Sequence, residues 1–74
     1  MLAPSPVKKR SICLRGKDTS LSLEPEFWTG LWNVAGKRGL HLYQLVEQID
    51  QERTHANLCS AIRVAVLRFY RDRQ

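Results

Sequence analysis

The side chains whose chemistry is easiest to recognise in this sequence are the cations at its N-terminal end. Residues 1–17 contain five basic side chains and no acidic one, whereas residues 18–74 balance seven basic against seven acidic side chains. The five are Lys8, Lys9, Arg10, Arg15 and Lys17. A local excess of this kind indicates a polyanionic partner, and nucleic acid is favoured over a membrane because no basic amphipathic helix coincides with it. The simpler alternative is a solvated tail that keeps the chain soluble.

A second set of candidate contacts lies in the alternating stretch 19–23. Ser20 and Ser22 occupy one face of the strand that this alternation predicts, and Leu21 and Leu23 occupy the other. A serine hydroxyl can donate to or accept from several base edges, so the serine face is compatible with nucleic acid without selecting a base. Alternatively, the two serines are only the solvated face of a sheet.

The remaining reactive side chains do not form a catalytic or metal-binding pattern. His41 and His55 have no cysteine or acidic pattern near them, and Cys13 and Cys59 lack the spacing of a zinc site or a disulfide framework. The sequence contains no Ser/His/Asp set, no glycine-rich phosphate loop and no carboxylate pair suited to catalysis. We therefore expect no enzymatic activity, no cofactor and no metal.

The serine-bearing strand is predicted to lead directly into a first helix. Pro25 suits the first helical turn, and Glu24 and Glu26 favour the positive end of the helix dipole. The helix is predicted to end at Arg38, with Gly39 as a left-handed cap. Its apolar stripe consists of Phe27, Trp28, Leu31, Trp32 and Ala35.

Apolar spacing predicts two further helices. The second begins after residues 39–41 and has the stripe Leu42, Leu45, Val46 and Ile49. Asn57 is a good N-cap for the third. The third carries Leu58, Ala61, Ile62, Ala65, Val66 and Phe69, broadened by Val64, Leu67 and Tyr70. Three such helices have more apolar surface than one 74-residue chain can cover, which predicts a dimer.

The stretch before the serine strand has two possible structures. Residues 11–15 also alternate, and residues 16–18 separate them from residues 19–23. The two stretches either form a hairpin inside one chain, or the first stays an arm while the second pairs with its copy in another chain. A hairpin would let Arg15 supply a donor that the serine face lacks, and it would widen a dimeric ribbon to four strands. Residues 1–10 are predicted to be a disordered basic arm, and residues 11–74 the folded domain.

This order of elements resembles the ribbon-helix-helix family of DNA-binding proteins, and more narrowly its small bacterial branch with an extra C-terminal helix. The likeness is carried by TSLSLEPEFWTGL (19–31), GKRGLHLYQLVEQID (36–50) and NLCSAIRVAVLRFYRDR (57–73), and it covers about residues 9–73. The resemblance implies a mostly α fold with a short N-terminal β-ribbon and three helices, in which two chains pair their strands and form an intertwined homodimer.

The resemblance also implies a site in which the ribbon enters the major groove of double-stranded DNA. The expected base-reading face consists of Ser20, Ser22, Arg15 and Lys17. Asp18 is expected on the same side as the two serines, because alternate residues of a strand point to the same side. The expected phosphate contacts are Lys8, Lys9 and Arg10, together with His41 and Leu42 at the start of the second helix. The expected dimer core consists of Leu21, Leu23, Trp28, Leu31, Trp32, Leu45, Val46, Ile49, Ile62, Val66 and Phe69.

These features predict a dimeric, cytoplasmic DNA-binding protein that regulates transcription in bacteria. Two alternatives stay open: a protein-interaction module that uses the strand edge or the third helix, and the DNA-binding part of an antitoxin. The sequence stops at Gln74, directly after the third helix, and we take this to favour an autonomous regulator over an antitoxin. No segment is apolar enough to span a membrane, so no membrane partner is expected.

Overall fold

The chain folds as a β-hairpin followed by three helices. The computed structural model describes residues 6–53 and 57–72. The strands are β1 (Lys8–Leu14) and β2 (Lys17–Leu23), and the helices are α1 (Pro25–Arg38), α2 (Leu42–Glu52) and α3 (Leu58–Asp72). The predicted mostly helical fold with an N-terminal ribbon is confirmed. No helix within the described residues is both long and apolar enough to cross a membrane.

The two strands pair antiparallel within one chain, which settles the alternative left open for the first of them. Ser11 lies opposite Ser20, and Leu14 lies opposite Lys17. The connecting turn is Arg15-Gly16, whose φ angles of 51° and 82° are both positive, as a type I′ turn requires. The connection is thus a two-residue turn rather than the predicted three-residue loop.

Both strands begin earlier than the alternation predicted. β1 begins at Lys8 rather than at residue 11, so residues 8–10 belong to a strand and not to a disordered arm. The prediction failed there because three successive cations mask the alternation, whereas pairing with β2 holds the backbone extended. The rest of the predicted arm, residues 1–5, lies outside the described residues, as do residues 54–56 and 73–74.

Local signals place the helix ends as predicted. Gly39 adopts a left-handed conformation with φ of 69° and ends α1. The side chain of Asn57 accepts a hydrogen bond from the backbone N–H of Ser60 at 2.8 Å and caps α3. The start of α2 is held by Gln44, whose side chain accepts from the backbone N–H of His41 at 2.8 Å.

The hydrophobic core lies between the inner face of the hairpin and the three helices. Its buried members are Leu14, Leu21, Leu23, Trp28, Leu31, Val34, Ala35, Leu45, Val46, Ile49, Ile62 and Val66. Nine of the eleven residues predicted for a dimer core are therefore already buried inside one protomer; the exceptions are Trp32 and the partly buried Phe69. Trp32 is 56 % exposed in the single protomer, and its assignment to a dimer core stays a prediction.

Helices α1 and α3 approach each other closely at Gly30. A Cβ atom built on Gly30 would lie 2.7 Å from Cγ1 of Val66, closer than two carbon atoms can pack. Gly36 in the same helix has open space around it. Gly30 therefore permits the contact between α1 and α3, as expected of a glycine that weakens a helix but allows another element to pack against it.

Candidate nucleic-acid interface

The face of the hairpin that points away from the core carries polar side chains from both strands. Cross-strand pairing places Lys9 opposite Ser22, Ser11 opposite Ser20, and Cys13 opposite Asp18. Directly opposed residues point to the same side of a sheet, so these six side chains share one face, which we call the outer face. Five of the six are exposed and Ser22 is half-buried. The predicted placement of Ser20, Ser22 and Asp18 on one side agrees with this register.

Three members of the outer face were not among the residues predicted to read bases. Lys9 was assigned to a phosphate-binding arm, and Ser11 and Cys13 were assigned no role. The alternation of Ile12 and Leu14 with polar residues could have identified all three, because extending it by one strand pair toward the N-terminus places Lys9 beside Ser22. The face gains one cation and one hydroxyl from β1 as a result.

Arg15 lies in the turn, where it is tied to α2 rather than directed to the outer face. Its backbone N–H donates to Oε2 of Glu47 at 3.0 Å, and its Nη1 donates to Oδ2 of Asp50 at 3.1 Å. Arg53 also donates to Asp50, and this hydrogen bond is the main cause that lowers the pKa of Asp50, with the charges of Arg53 and Arg15 adding to it. The structure therefore separates Arg15 from the two serines with which it was grouped.

Lys17 also lies apart from the serines. It pairs with Leu14, so it lies on the side of the sheet that faces the core, at the end of the hairpin next to the turn. Its carbonyl oxygen accepts from Oγ1 of Thr19 at 3.5 Å, and its side chain is exposed. Arg15 and Lys17 together form the basic tip of the hairpin, at a different end from Lys8.

The three consecutive cations of β1 point to alternate sides of the strand. Lys9 belongs to the outer face. Lys8 and Arg10 lie on the opposite side of the sheet, the side of Leu21 and Leu23. The guanidinium of Arg10 lies over the ring of Trp28 at 5.7 Å from its centroid, a cation–π distance. All three side chains are exposed, so the start of β1 is a positively charged strip.

His41 and Leu42 lie at the N-terminus of α2. The His41 ring is exposed and stacks on Tyr43, with ring centroids 5.7 Å apart and an interplanar angle of 9°. Its backbone N–H is already bonded to Gln44, so this group is not free to bind a phosphate. Leu42 is half-buried and can contribute only its backbone N–H to an anion.

A further ion pair fixes the junction between β2 and α1. Arg63 of α3 donates from Nε to Oε1 of Glu24 at 3.0 Å and reaches the carbonyl oxygen of Ser22 at 3.5 Å. A backbone hydrogen bond is the largest cause that lowers the pKa of Glu24, and the bond from Arg63 is the next. The sequence does not predict this contact, because no local signal links residues 39 positions apart.

Family comparison agrees with the architecture. No curated protein and no solved structure matches the chain with significant similarity. A family model described as a ribbon-helix-helix domain matches residues 7–70, a span that includes both strands, α1, α2 and most of α3. With this match over most of its length, and with a β-ribbon followed by helices, the chain belongs to the ribbon-helix-helix family.

Proposed function

We propose that this chain is a homodimeric DNA-binding protein of the bacterial cytoplasm, which regulates transcription by placing the outer face of its hairpin in the major groove of double-stranded DNA. The observation that carries the proposal is the position of Ser20 and Lys9 on one exposed face, opposite the side that packs on the helices. Membership of the ribbon-helix-helix family supports a DNA-binding regulator.

The chemistry of the outer face suits contact with base edges. A two-stranded ribbon fits the major groove, which is about 12 Å wide. The hydroxyls of Ser11, Ser20 and Ser22 can each donate or accept, and Lys9 can donate to guanine acceptors or to a phosphate. Asp18 is the one acceptor-only side chain and would favour a cytosine amine. This set gives modest base selectivity, so most of the affinity is electrostatic.

Phosphate contacts are proposed for cations around the outer face. Lys8 and Arg10 flank Lys9 at one end of β1, and Lys17 lies at the tip of the hairpin. Arg15 can reach DNA only by giving up part of its contact with Asp50, so we assign it a smaller share. His41 and Leu42 would approach a phosphate through a protonated ring and a helix N-terminal N–H, respectively.

The test is the salt dependence of binding to duplex DNA, measured by fluorescence anisotropy. Lys9→Ala removes two cations from a dimer, so the slope of log affinity against log salt should flatten by up to about 1.8 units. Lys37→Ala removes the same charge from the end of α1 and should leave the slope unchanged. A folded wild-type protein that does not bind duplex DNA even at low salt would contradict the proposal.

A second candidate function is a protein-interaction module with the same fold. The observation that favours it is the exposure of Val64, Leu67 and Tyr70 on α3, at 43 %, 61 % and 41 %. Exposed apolar residues grouped on one helix are typical of surfaces that bind another protein. The salt titration separates the two candidates, because the interaction module has no affinity for duplex DNA.

A further inference from the structure

The first residue of the hairpin turn has an uncommon backbone conformation. Arg15 has a φ angle of 51°, and within residues 6–53 and 57–72 it is the one residue other than glycine with a positive φ. Asparagine, aspartate and glycine are the usual residues at this position of a type I′ turn, because they tolerate the left-handed region. A residue kept in an unfavourable backbone conformation indicates a use for its side chain.

Two carboxylates of α2 hold Arg15 at different points. Oε2 of Glu47 accepts from the backbone N–H of Arg15 at 3.0 Å, so this contact fixes the turn itself. Oδ2 of Asp50 accepts from Nη1 of Arg15 at 3.1 Å, so this contact fixes only the end of the side chain. The guanidinium of Arg15 can therefore leave Asp50 while its backbone stays bonded to Glu47.

The contact between Arg15 and Asp50 leaves most of the guanidinium unused. A guanidinium has five N–H donors, and within the part of the chain that the structure describes the Arg15 side chain makes one hydrogen bond. This side chain is 53 % exposed. Arg63, by comparison, donates to both carboxylate oxygens of Glu24 and is 33 % exposed. An exposed ion pair held by one hydrogen bond contributes little to stability, so it is easily exchanged for another anion.

Asp50 keeps a partner when the Arg15 side chain leaves. Its Oδ1 accepts from Nε of Arg53. The hydrogen bond from Arg53 is the largest cause that lowers the pKa of Asp50, and the charge and hydrogen bond of Arg15 contribute less. The carboxylate, which is 18 % exposed, therefore stays ionised and paired without Arg15.

We propose that Asp50 holds the Arg15 side chain on α2 in the free protein, and that a DNA phosphate takes over this side chain when the hairpin enters the major groove. The proposal rests on the proposed function and deepens it, because it makes Asp50 a positioning residue for a phosphate contact. A phosphate can accept two parallel N–H bonds from an arginine, whereas Asp50 accepts one. The exchange therefore increases the number of hydrogen bonds that Arg15 makes.

The exchange distinguishes the two cations at the tip of the hairpin. The ammonium group of Lys17 has no hydrogen bond or ion pair to any described residue, so it is available to any polyanion. Arg15 becomes available only to an anion that lies close enough to compete with Asp50. This difference favours DNA that is seated in register against the hairpin over DNA that is bound loosely by its cations.

The salt dependence of binding to duplex DNA tests whether Arg15 contacts phosphate in the complex. Arg15→Ala removes two phosphate contacts from a dimer, so the slope of log affinity against log salt should flatten by up to about 1.8 units. Arg71→Ala is the matched control and should leave the slope unchanged, because Arg71 is also an exposed arginine paired with an aspartate but lies at the end of α3. An unchanged slope for Arg15→Ala would mean that Arg15 stays on Asp50 in the complex, and would overturn the proposal.

The affinity of Asp50→Asn tests whether Asp50 competes with DNA. The substitution releases two Arg15 side chains per dimer, so the affinity at about 0.15 M salt should rise about two- to thirtyfold, the range for two exposed ion pairs. Asp72→Asn removes the same charge from the pair with Arg71 and should change the affinity less than about 1.5-fold, because exposed charges away from the DNA are screened. Loss of a residue with only a structural role would instead lower both the stability and the affinity.

The double variant of Arg15→Ala with Asp50→Asn completes the cycle. Because Asp50 acts through Arg15, the gain in affinity from Asp50→Asn should disappear in the Arg15→Ala background. Circular dichroism checks the helix content of each variant, and the slope of Arg15→Ala decides the proposal even if Asp50→Asn does not fold. An unchanged or reduced affinity of folded Asp50→Asn, or a gain that persists without Arg15, would overturn the proposal.

The outcomes are separable from those of the proposed function. A wild-type protein that binds duplex DNA with a slope that depends on Lys9 but not on Arg15 retains the DNA-binding function and loses this exchange. A wild-type protein that does not bind duplex DNA even at low salt contradicts both.

Discussion

The indole N–H of Trp28 donates to the carbonyl oxygen of Lys8 at 3.0 Å, so the first helix is bonded to the first strand, 20 residues earlier in the chain. Trp28 is only 3 % exposed, and the Arg10 guanidinium lies over its ring. One buried aromatic side chain thereby joins the start of β1 to the core and positions two of the proposed phosphate-binding residues.

Two substitutions at Trp28 separate its packing from its hydrogen bond. Trp28→Ala should reduce the free energy of unfolding by about 3–5 kcal/mol, because it leaves a large cavity. Trp28→Phe retains much of the volume but leaves the Lys8 carbonyl without its donor, which should cost about 1–2 kcal/mol. Urea denaturation followed by circular dichroism measures both. Equal effects of the two substitutions would mean that the hydrogen bond, rather than the volume, sets the stability.

The two internal glycines of α1 should respond to alanine in opposite directions. Gly30→Ala places a methyl group 2.7 Å from Val66, so the free energy of unfolding should fall by about 1–3 kcal/mol. Gly36→Ala meets open space and should raise it by about 0.5–1 kcal/mol, because alanine favours the helix. Thermal denaturation measures both. Combining Gly30→Ala with Val66→Ala should recover part of the loss if the methyl clash is its cause.

Neighbouring residues of β2 should have different roles because they point to opposite faces. Leu21 is 2 % exposed, and Leu21→Ala should cost about 2–5 kcal/mol of stability. Ser20→Ala should change stability by less than about 0.5 kcal/mol and should weaken duplex DNA binding. Chemical denaturation and DNA titration of the same two proteins measure the difference. If Ser20→Ala were destabilised and Leu21→Ala were not, Ser20 rather than Leu21 would lie on the buried face.

The ion pair between Glu24 and Arg63 should make stability depend on acidic pH. The pKa of Glu24 in the folded state lies below its ordinary value of 4.5. A carboxyl group with a lowered pKa stabilises the fold above its unfolded pKa, and this contribution is lost as the pH falls through the folded value. The free energy of unfolding of the wild type should therefore fall on acidification below about pH 4.5.

The matched variants for this pH dependence are Glu24→Gln and Glu52→Gln. Glu24→Gln removes the titrating group, so its stability should decline less steeply on acidification than that of the wild type. Glu52, which makes no ion pair within the described part of the chain, provides the control, and Glu52→Gln should decline as the wild type does. Urea titrations between pH 3 and pH 7 measure the curves. Parallel curves for all three proteins would assign the acid sensitivity to other groups.

The sequence predicted the features that depend on local chemistry. Pro25, Gly39 and Asn57 identify helix ends because capping involves residues within one turn, and the alternation of Leu21 with Ser20 identifies the buried face of β2 for the same reason. Alternation defines a face but not an edge, so it could not decide whether β2 pairs with β1 or with another chain.

Side-chain contacts between distant residues were not predictable. Arg15 and Asp50 are 35 positions apart, and their pairing depends on how the turn meets α2. Trp28 and Trp32 share one apolar stripe at helical spacing, yet within the protomer Trp28 is buried and Trp32 is exposed, because the stripe is wider than the surface that the rest of the chain covers. A stripe shows which residues favour burial, and the size of the packed neighbours decides which of them are buried.

The closure of the hairpin across a two-residue turn has a consequence for the order of folding steps. A hairpin of local contacts forms on a time scale of about 1–10 μs, far faster than two dilute chains meet. The strands of this chain need no second molecule to pair, so ribbon formation should precede association during refolding and during synthesis on the ribosome. The early refolding phase should therefore be independent of protein concentration, and only a later phase should become faster as the concentration rises.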